Sequence, residues 1–122
     1  MRRTLSFLIA LAVIALSSQL LAQGRVIMTP QLVDAMRRFT TYAPLPEYPA
    51  SALAHHVEGN GWFMLYVRPD GTIQTVQVLQ STGHRELDQA CISAYRQWRF
   101  RPNFAAKAKK VKIPVTFTMK IP

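Results

Sequence analysis

Cysteine, acidic residues and glycine are all scarce in this chain. Cys91 is the only cysteine among 122 residues, so no internal disulfide can form and no cysteine-rich zinc site can be assembled. Asp and Glu number 6 against 15 Lys and Arg, a formal charge of +9; that favours anionic surfaces in general and names no partner. There are no internal repeats and no low-complexity tract, which excludes solenoids and arrays. With 49% apolar and 17% charged residues, the chain reads as one folded domain, too short for a two-domain enzyme.

A long apolar run occurs only at the N-terminus. Arg2 and Arg3 precede the unbroken apolar residues 7–16, the order of a secretory signal. Ser17, Ser18 and Gln19 lead into Leu20-Leu21-Ala22, and small Ala22 suits a cut ahead of Gln23. Read instead as an uncleaved anchor, residues 5–22 make about 27 Å of helix against a hydrocarbon core of about 30 Å. Both readings stay open, and both place the rest of the chain outside the cytoplasm, most simply in a bacterial periplasm. Cleavage removes two arginines and lowers the charge from +9 to +7.

The remainder divides into a short helix with a proline-rich connector, residues 23–47, and a domain over residues 48–122. Thr29-Pro30 followed by Leu32, Val33, Met36 and Phe39 predicts a capped helix to about Phe39. Pro44, Pro46 and Pro49 then favour extended backbone. Pro49 opens a second short helix over residues 50–56, which Gly59-Asn60-Gly61 breaks.

A strand over 62–67 is apolar on both faces, Phe63, Leu65 and Val67 against Trp62, Met64 and Tyr66. It is expected to be central and covered, at least partly, on both sides. Arg68-Pro69-Asp70-Gly71-Thr72 is a turn signal that leads into a second strand over 73–80. After Ser81-Thr82-Gly83, residues Leu87, Ala90, Cys91, Ala94 and Trp98 form one stripe of a helix from His84 or Arg85 to Trp98, stopped by Pro102. A lysine-bearing loop follows.

The last strand alternates most cleanly. Val111, Ile113, Val115, Phe117 and Met119 share the core face, with Lys112, Pro114, Thr116, Thr118 and Lys120 on the other. Pro114 has no N–H, so its amide edge must face away from the ladder, which predicts an edge strand. By the same period of two, Lys112, Thr116, Thr118 and Lys120 would aim unpaired backbone groups at the open side. Such an edge is either merely protected by its lysines and proline, or a place where another strand docks. Two copies of the chain pairing there as a homodimer is equally open.

At this point a family resemblance emerges. Tyr48-Pro49 with Ala52, Glu58-Gly59, Pro69-Asp70-Gly71, Ser81-Thr82-Gly83, Leu87-Asp88 with Ala90, Trp98-Arg99-Phe100-Arg101-Pro102, and Pro114-Val115 with Phe117 together resemble the C-terminal domain of TonB-like energy transducers. The resemblance implies an α+β domain, a three-stranded antiparallel sheet with helices packed on one face, here preceded by an export helix. It implies a last strand able to accept the TonB box of an outer-membrane receptor as an added strand, and no enzymatic activity or cofactor. Transducers of this kind also carry an anchor engaging an ExbB/ExbD-type motor and a long spacer. Residues 23–44 reach at most about 70 Å when extended, and the apolar segment has no histidine. The leading expectation is therefore a periplasmic binding module for an outer-membrane TonB-dependent receptor or another envelope protein; the alternative is an anchored transducer.

Other chemistry is thinly supplied. His55-His56, and His84 with Asp88 one turn on, lack a nucleophile, a third ligand or a glycine-rich loop; Asp88 reads as a first-turn carboxylate. Cys91, on the apolar stripe, reads as a small buried hydrophobe. Trp62, Tyr66, Trp98 and Phe100 beside Arg96, Arg99 and Arg101 could stack nucleic-acid bases, but export argues against that ligand. The lysines at 107, 109, 110 and 112 read as a solvated loop, or as a contact for anionic lipid, cell-wall polymer or an acidic peptide.

Overall fold

Thr29 and Pro30 begin the first helix as their chemistry requires. Thr29 Oγ1 accepts from Leu32 N at 3.2 Å, and Pro30 sits in the first turn, where its missing N–H leaves nothing unpaired. The computed structural model describes residues 24–120; the expected signal or anchor, residues 1–22, and the cut ahead of Gln23 lie outside them.

The elements in chain order are β1 (Arg25–Ile27), α1 (Pro30–Phe39), β2 (Thr40–Tyr42), α2 (Ala50–Ala54), β3 (Gly59–Val67), β4 (Ile73–Gln80), α3 (Arg85–Tyr95), β5 (Arg99–Phe100), α4 (Pro102–Lys107) and β6 (Lys110–Thr118). The α+β architecture is the expected one, and β3, β4 and β6 are its three antiparallel strands. A fourth strand joins them, since β1 pairs outside β6 and the order is β1-β6-β3-β4. β2 and β5 form a separate two-stranded ribbon.

Burial follows the strand period. Phe63, Leu65 and Val67 of β3 and Ile113, Val115 and Phe117 of β6 are buried against Leu87, Cys91, Ala94 and Tyr95 of α3. An aromatic chain runs through this layer: Phe63 meets Tyr95 at 5.6 Å, Tyr95 meets Trp98 at 5.2 Å, and Phe100 stacks on Phe104 at 5.1 Å. Edge-to-face and offset pairs of this kind add to simple area burial. The opposite face of β3 is only partly covered, as expected, and of Trp62, Met64 and Tyr66 the tryptophan is the most open. Trp62 is 38% exposed, and its ring is partly roofed by Lys112, whose Nζ lies 4.6 Å from the ring centre. Met64 and Tyr66 are only half-buried.

Three local differences have physical reasons. Helix α3 ends at Tyr95, because Gln97 N and Trp98 N bond back only three residues, to Ala94 O and Tyr95 O at 3.1 and 3.2 Å, tightening the last turn; Trp98 is nonetheless fully buried. Pro102 does not stop that helix. It opens α4 from an extended Arg101, the position where proline is best tolerated. The start of the expected connector is also paired, β2 against β5, and Trp98 Nε1 donates to Pro44 O at 2.8 Å, fastening the proline-rich stretch to the core.

The turn between β3 and β4 forms as its residues dictate. Asp70 Oδ1 accepts from Thr72 N at 3.0 Å and Thr72 Oγ1 at 2.7 Å, which holds the Asp70 carboxyl below the usual carboxylate range. Gly71 has φ of +91°, a conformation that costs any other residue.

Candidate functional site

The backbone of β6 has a fixed parity. Val67 N donates to Lys109 O at 2.8 Å, and the register runs from Tyr66 opposite Lys110 to Gly59 opposite Phe117. In an antiparallel ladder this turns the N–H and C=O of the odd residues of β6 toward β3 and those of the even residues away from it. Pro114, an even residue opposite Trp62, therefore sits where its missing N–H breaks no bond to β3, as the sequence predicted.

The five candidate edge residues are not equivalent. Lys112 is exposed, its backbone turned outward with no β1 residue opposite. Thr116 and Thr118 are half-buried and pair with Ile27 and Arg25 of β1. Lys120 lies past the strand end, where its N–H donates to Thr118 Oγ1 at 3.1 Å. The expectation of an edge open along its whole length is thus corrected, because β1 covers its C-terminal part.

Packing explains why β1 docks there. Val26 lies opposite Phe117 and is half-buried against the core, whereas Arg25 and Ile27 are exposed. Gly24 passes so close to Tyr48 that a Cβ there would fall 2.3 Å from its ring, and Tyr48 in turn meets Phe117 edge-to-face at 5.3 Å. Burial, with the nearby Glu58 charge, raises the Tyr48 hydroxyl above its ordinary pKa; that hydroxyl donates to Val57 O. Glu58 Oε1 also accepts from Met119 N at 2.6 Å and Thr118 Oγ1 at 3.3 Å, tying down the end of β6.

The opposite end of β6 is cationic. Lys107, Lys109, Lys110 and Lys112 are all exposed. Tyr66, Arg68, Gln74, Ala105, Lys109 and Lys110 line a surface cleft of about 830 Å³ beside it.

The remaining candidates take structural places. The Asp88 carboxyl is pulled upward by burial, but hydrogen bonds from Ser81 and Thr82 outweigh that and hold it below the usual range. Its partners are Ser81 and Thr82; His84 acts on it only through charge. His55 Nδ1 meets Ser51 O at 2.8 Å and His56 Nδ1 meets Met119 Sδ at 3.4 Å. Among the described residues no three His, Cys, Asp or Glu side chains converge on a site for a metal ion. Cys91 is buried and its thiol is pushed up to about 12, chiefly by burial and further by the Asp88 charge, so it is a poor nucleophile. Tyr95 is raised chiefly by burial and further by the neighbouring Cys91 side chain, and among the described residues its hydroxyl has no partner in good hydrogen-bond geometry. Trp98 and Phe100 are core residues with no face free for stacking.

Residues 44–119 match the family described as the Gram-negative bacterial TonB protein C-terminal. The chain belongs to this family. Its TonB C-terminal domain is 35% identical over 81 residues to Protein tonB2 of Pseudomonas aeruginosa, covering 62% of this chain and 29% of that protein. Protein TonB of Vibrio cholerae is 28% identical over 108 residues, covering 86% of this chain and 41% of that protein. The chain thus spans less than half the length of these relatives. A solution structure of the Pseudomonas aeruginosa TonB C-terminal domain superposes with a TM-score of 0.51 at 28% identity, over 67% of this chain and 84% of that one. The TonB family match includes β3, β4 and β6 and stops short of β1, α1 and β2. Among the described residues no helix is long and apolar enough to cross a membrane.

Proposed function

We propose that this TonB-family chain is a non-enzymatic periplasmic binding module, which takes an extended segment of an outer-membrane TonB-dependent receptor, or of another envelope protein, as an added strand on the edge of β6. The observation that supports this reading is the parity of β6: Lys110 and Lys112 turn their backbone groups away from β3 and have no β1 residue opposite them. Lys112, Pro114, Thr116, Thr118 and Lys120 are the residues of that edge. Main-chain bonds supply affinity in strand addition, and alternate side-chain seats supply specificity. Lys110 and Lys112, with Arg68 and Lys109 at the adjoining cleft, favour a segment that carries acidic side chains. About five hydrogen bonds at about 1 kcal/mol each, against several kcal/mol of association cost, give on their own no better than millimolar binding, so micromolar affinity requires side-chain contacts as well.

The test is Lys112→Pro, titrated with synthetic TonB-box peptides from receptors encoded in the same genome. A ring at this outward-facing position removes a free donor while leaving the ladder to β3 in place, as at Pro114. Binding should fall about tenfold with the melting temperature nearly unchanged; equal affinity in variant and parent would sink the reading. Affinity should fall only modestly as salt rises, by the share the lysines contribute, whereas a polyanion or lipid surface held by charge alone would be lost.

A second reading is an inner-membrane transducer working with an ExbB/ExbD-type motor, favoured by the apolar length of residues 5–22. The intact mass of the protein from native envelopes separates the two. A soluble species beginning at Gln23 supports the free module, and a full-length species in the membrane fraction supports the transducer.

A further inference from the structure

The edge proposed to receive a partner already holds a strand. β1 lies on β6 with Arg25 opposite Thr118, Val26 opposite Phe117 and Ile27 opposite Thr116. By the parity of β6, Thr116 and Thr118 are the residues whose backbone groups point outward, so β1 takes the same donors and acceptors that an added strand would need. It belongs to no part of the family match, which begins at residue 44. It is also minimal: three residues, two of them exposed, with one side chain, Val26, half-buried against the core.

We propose that β1 is an exchangeable internal ligand. It holds the Thr116–Thr118 half of the β6 edge, and the segment that replaces it is an extended peptide with an apolar residue for the seat of Val26 beside Phe117. This rests on the strand-addition reading and adds what that reading leaves open, namely how the covered half is reached and what side chain it accepts. The two halves of the edge then recognise different chemistry. Lys110 and Lys112 face acidic side chains, and the Phe117 end takes an apolar one. A strand so short opens at small cost relative to global unfolding, and the affinity of any partner is reduced by the fraction of time the edge is covered. Gly24 fits the role, because the chain reaches β6 only by passing flat against Tyr48, where a Cβ would collide with both the Tyr48 ring and Leu53 Cδ2.

Two full-length variants test this with the same TonB-box peptides. In Arg25→Cys with Thr118→Cys, directly opposed residues of an antiparallel pair lie about 5.5 Å apart at Cα, within the span of a disulfide. Cys91 is buried and stays out of the exchange. Oxidation locks β1 in place, and reduction releases it in the same molecule. In Arg25→Pro with Ile27→Pro, both β1 residues that face β6 lose their N–H, which removes the pairing without touching β6. The expected result is that the oxidised lock binds about tenfold more weakly than its reduced form, while the proline variant binds several-fold more tightly than the parent. A peptide whose apolar residue is changed to Asp should lose that gain. Equal affinity for parent, oxidised lock and proline variant would overturn the exchange and leave strand addition standing on the Lys110–Pro114 half. Absence of binding to every form, the proline variant included, would overturn strand addition itself and the exchange with it. Circular dichroism of the proline variant, and the reversibility of the lock by reductant, separate both outcomes from loss of fold.

Discussion

Asp88 Oδ1 accepts two hydrogen bonds from Thr82, from its amide at 2.9 Å and from its hydroxyl at 2.7 Å, and Oδ2 accepts a third from Ser81 Oγ. One carboxylate in the first turn of α3 thereby closes the Ser81-Thr82-Gly83 turn onto the helix that follows it.

That relationship makes a pH-dependent prediction. The folded-state pKa of Asp88 is lowered, so its contribution is complete above the unfolded carboxylate value of about 3.9 and is lost as pH falls through the lower folded value. Asp88→Ala should cost about 2 kcal/mol at neutral pH. Urea unfolding of parent and variant should show that difference near pH 7 and a shrinking one below about pH 4. A difference independent of pH would mean that the three bonds do not depend on the charged form.

Gly71 is the second sensitive point. Its φ is +91°, and an added Cβ would lie 1.9 Å from Phe100 O, on the backbone whose N–H donates to Gly71 O at 2.8 Å. Gly71→Ala therefore pays for left-handed backbone and also breaks the join between the β3–β4 turn and β5. A loss of at least about 2 kcal/mol is expected, seen as a fall in melting temperature of about 10 °C. Gly83, with φ of +90° and no atom within 4 Å of its added Cβ, should lose clearly less on the same substitution.

Trp98 carries the third prediction. Its ring is fully buried, and its Nε1 donates to Pro44 O. Trp98→Phe removes the donor, strands a partly buried carbonyl and leaves a small cavity. A cost of about 2–3 kcal/mol is expected. Proteolysis should show a loosened connector around residues 43–47 before global unfolding. An unchanged cleavage pattern would show that the proline-rich stretch is held by other contacts.

The elements legible in the sequence were those specified by neighbours along the chain. Pro69-Asp70-Gly71 dictates a turn by its own backbone preferences, and the alternation of Ile113, Val115 and Phe117 dictates a strand. Leu87, Cys91 and Ala94 mark the buried stripe of α3. What escaped was set by partners far along the chain. β1 is too short for a period of two to register, and β2 and β5 gain their pairing from each other and, for β5, from the distant β3–β4 turn. Pro102 permits either a helix stop or a helix start, and only the extended Arg101 decides between them. The candidate site divides the same way. Pro114 alone predicted which side of β6 faces outward, since the parity of a strand is local. That Arg25, Val26 and Ile27 cover half of it depends on Phe117 and Tyr48, which no pattern near residue 25 reveals.

The last prediction concerns the amides of β6, which the structure sorts into three classes. Ile113, Val115 and Phe117 donate within the ladder to β3, Thr116 and Thr118 face β1, and Lys112 faces outward with no β1 residue opposite. Amide exchange followed by NMR should find the first class slowest and Lys112 fast. Thr116 and Thr118 should fall between, because their protection is limited by the opening of a three-residue strand, whereas that of Val115 is limited by the opening of the sheet. In the Arg25→Pro, Ile27→Pro variant, Thr116 and Thr118 should move to the fast class and Val115 should stay. If Thr116 and Thr118 exchange as fast as Lys112 in the parent, β1 is already off the edge in solution. If they match Val115, β1 opens only with the whole sheet, and a partner segment could not exchange for it.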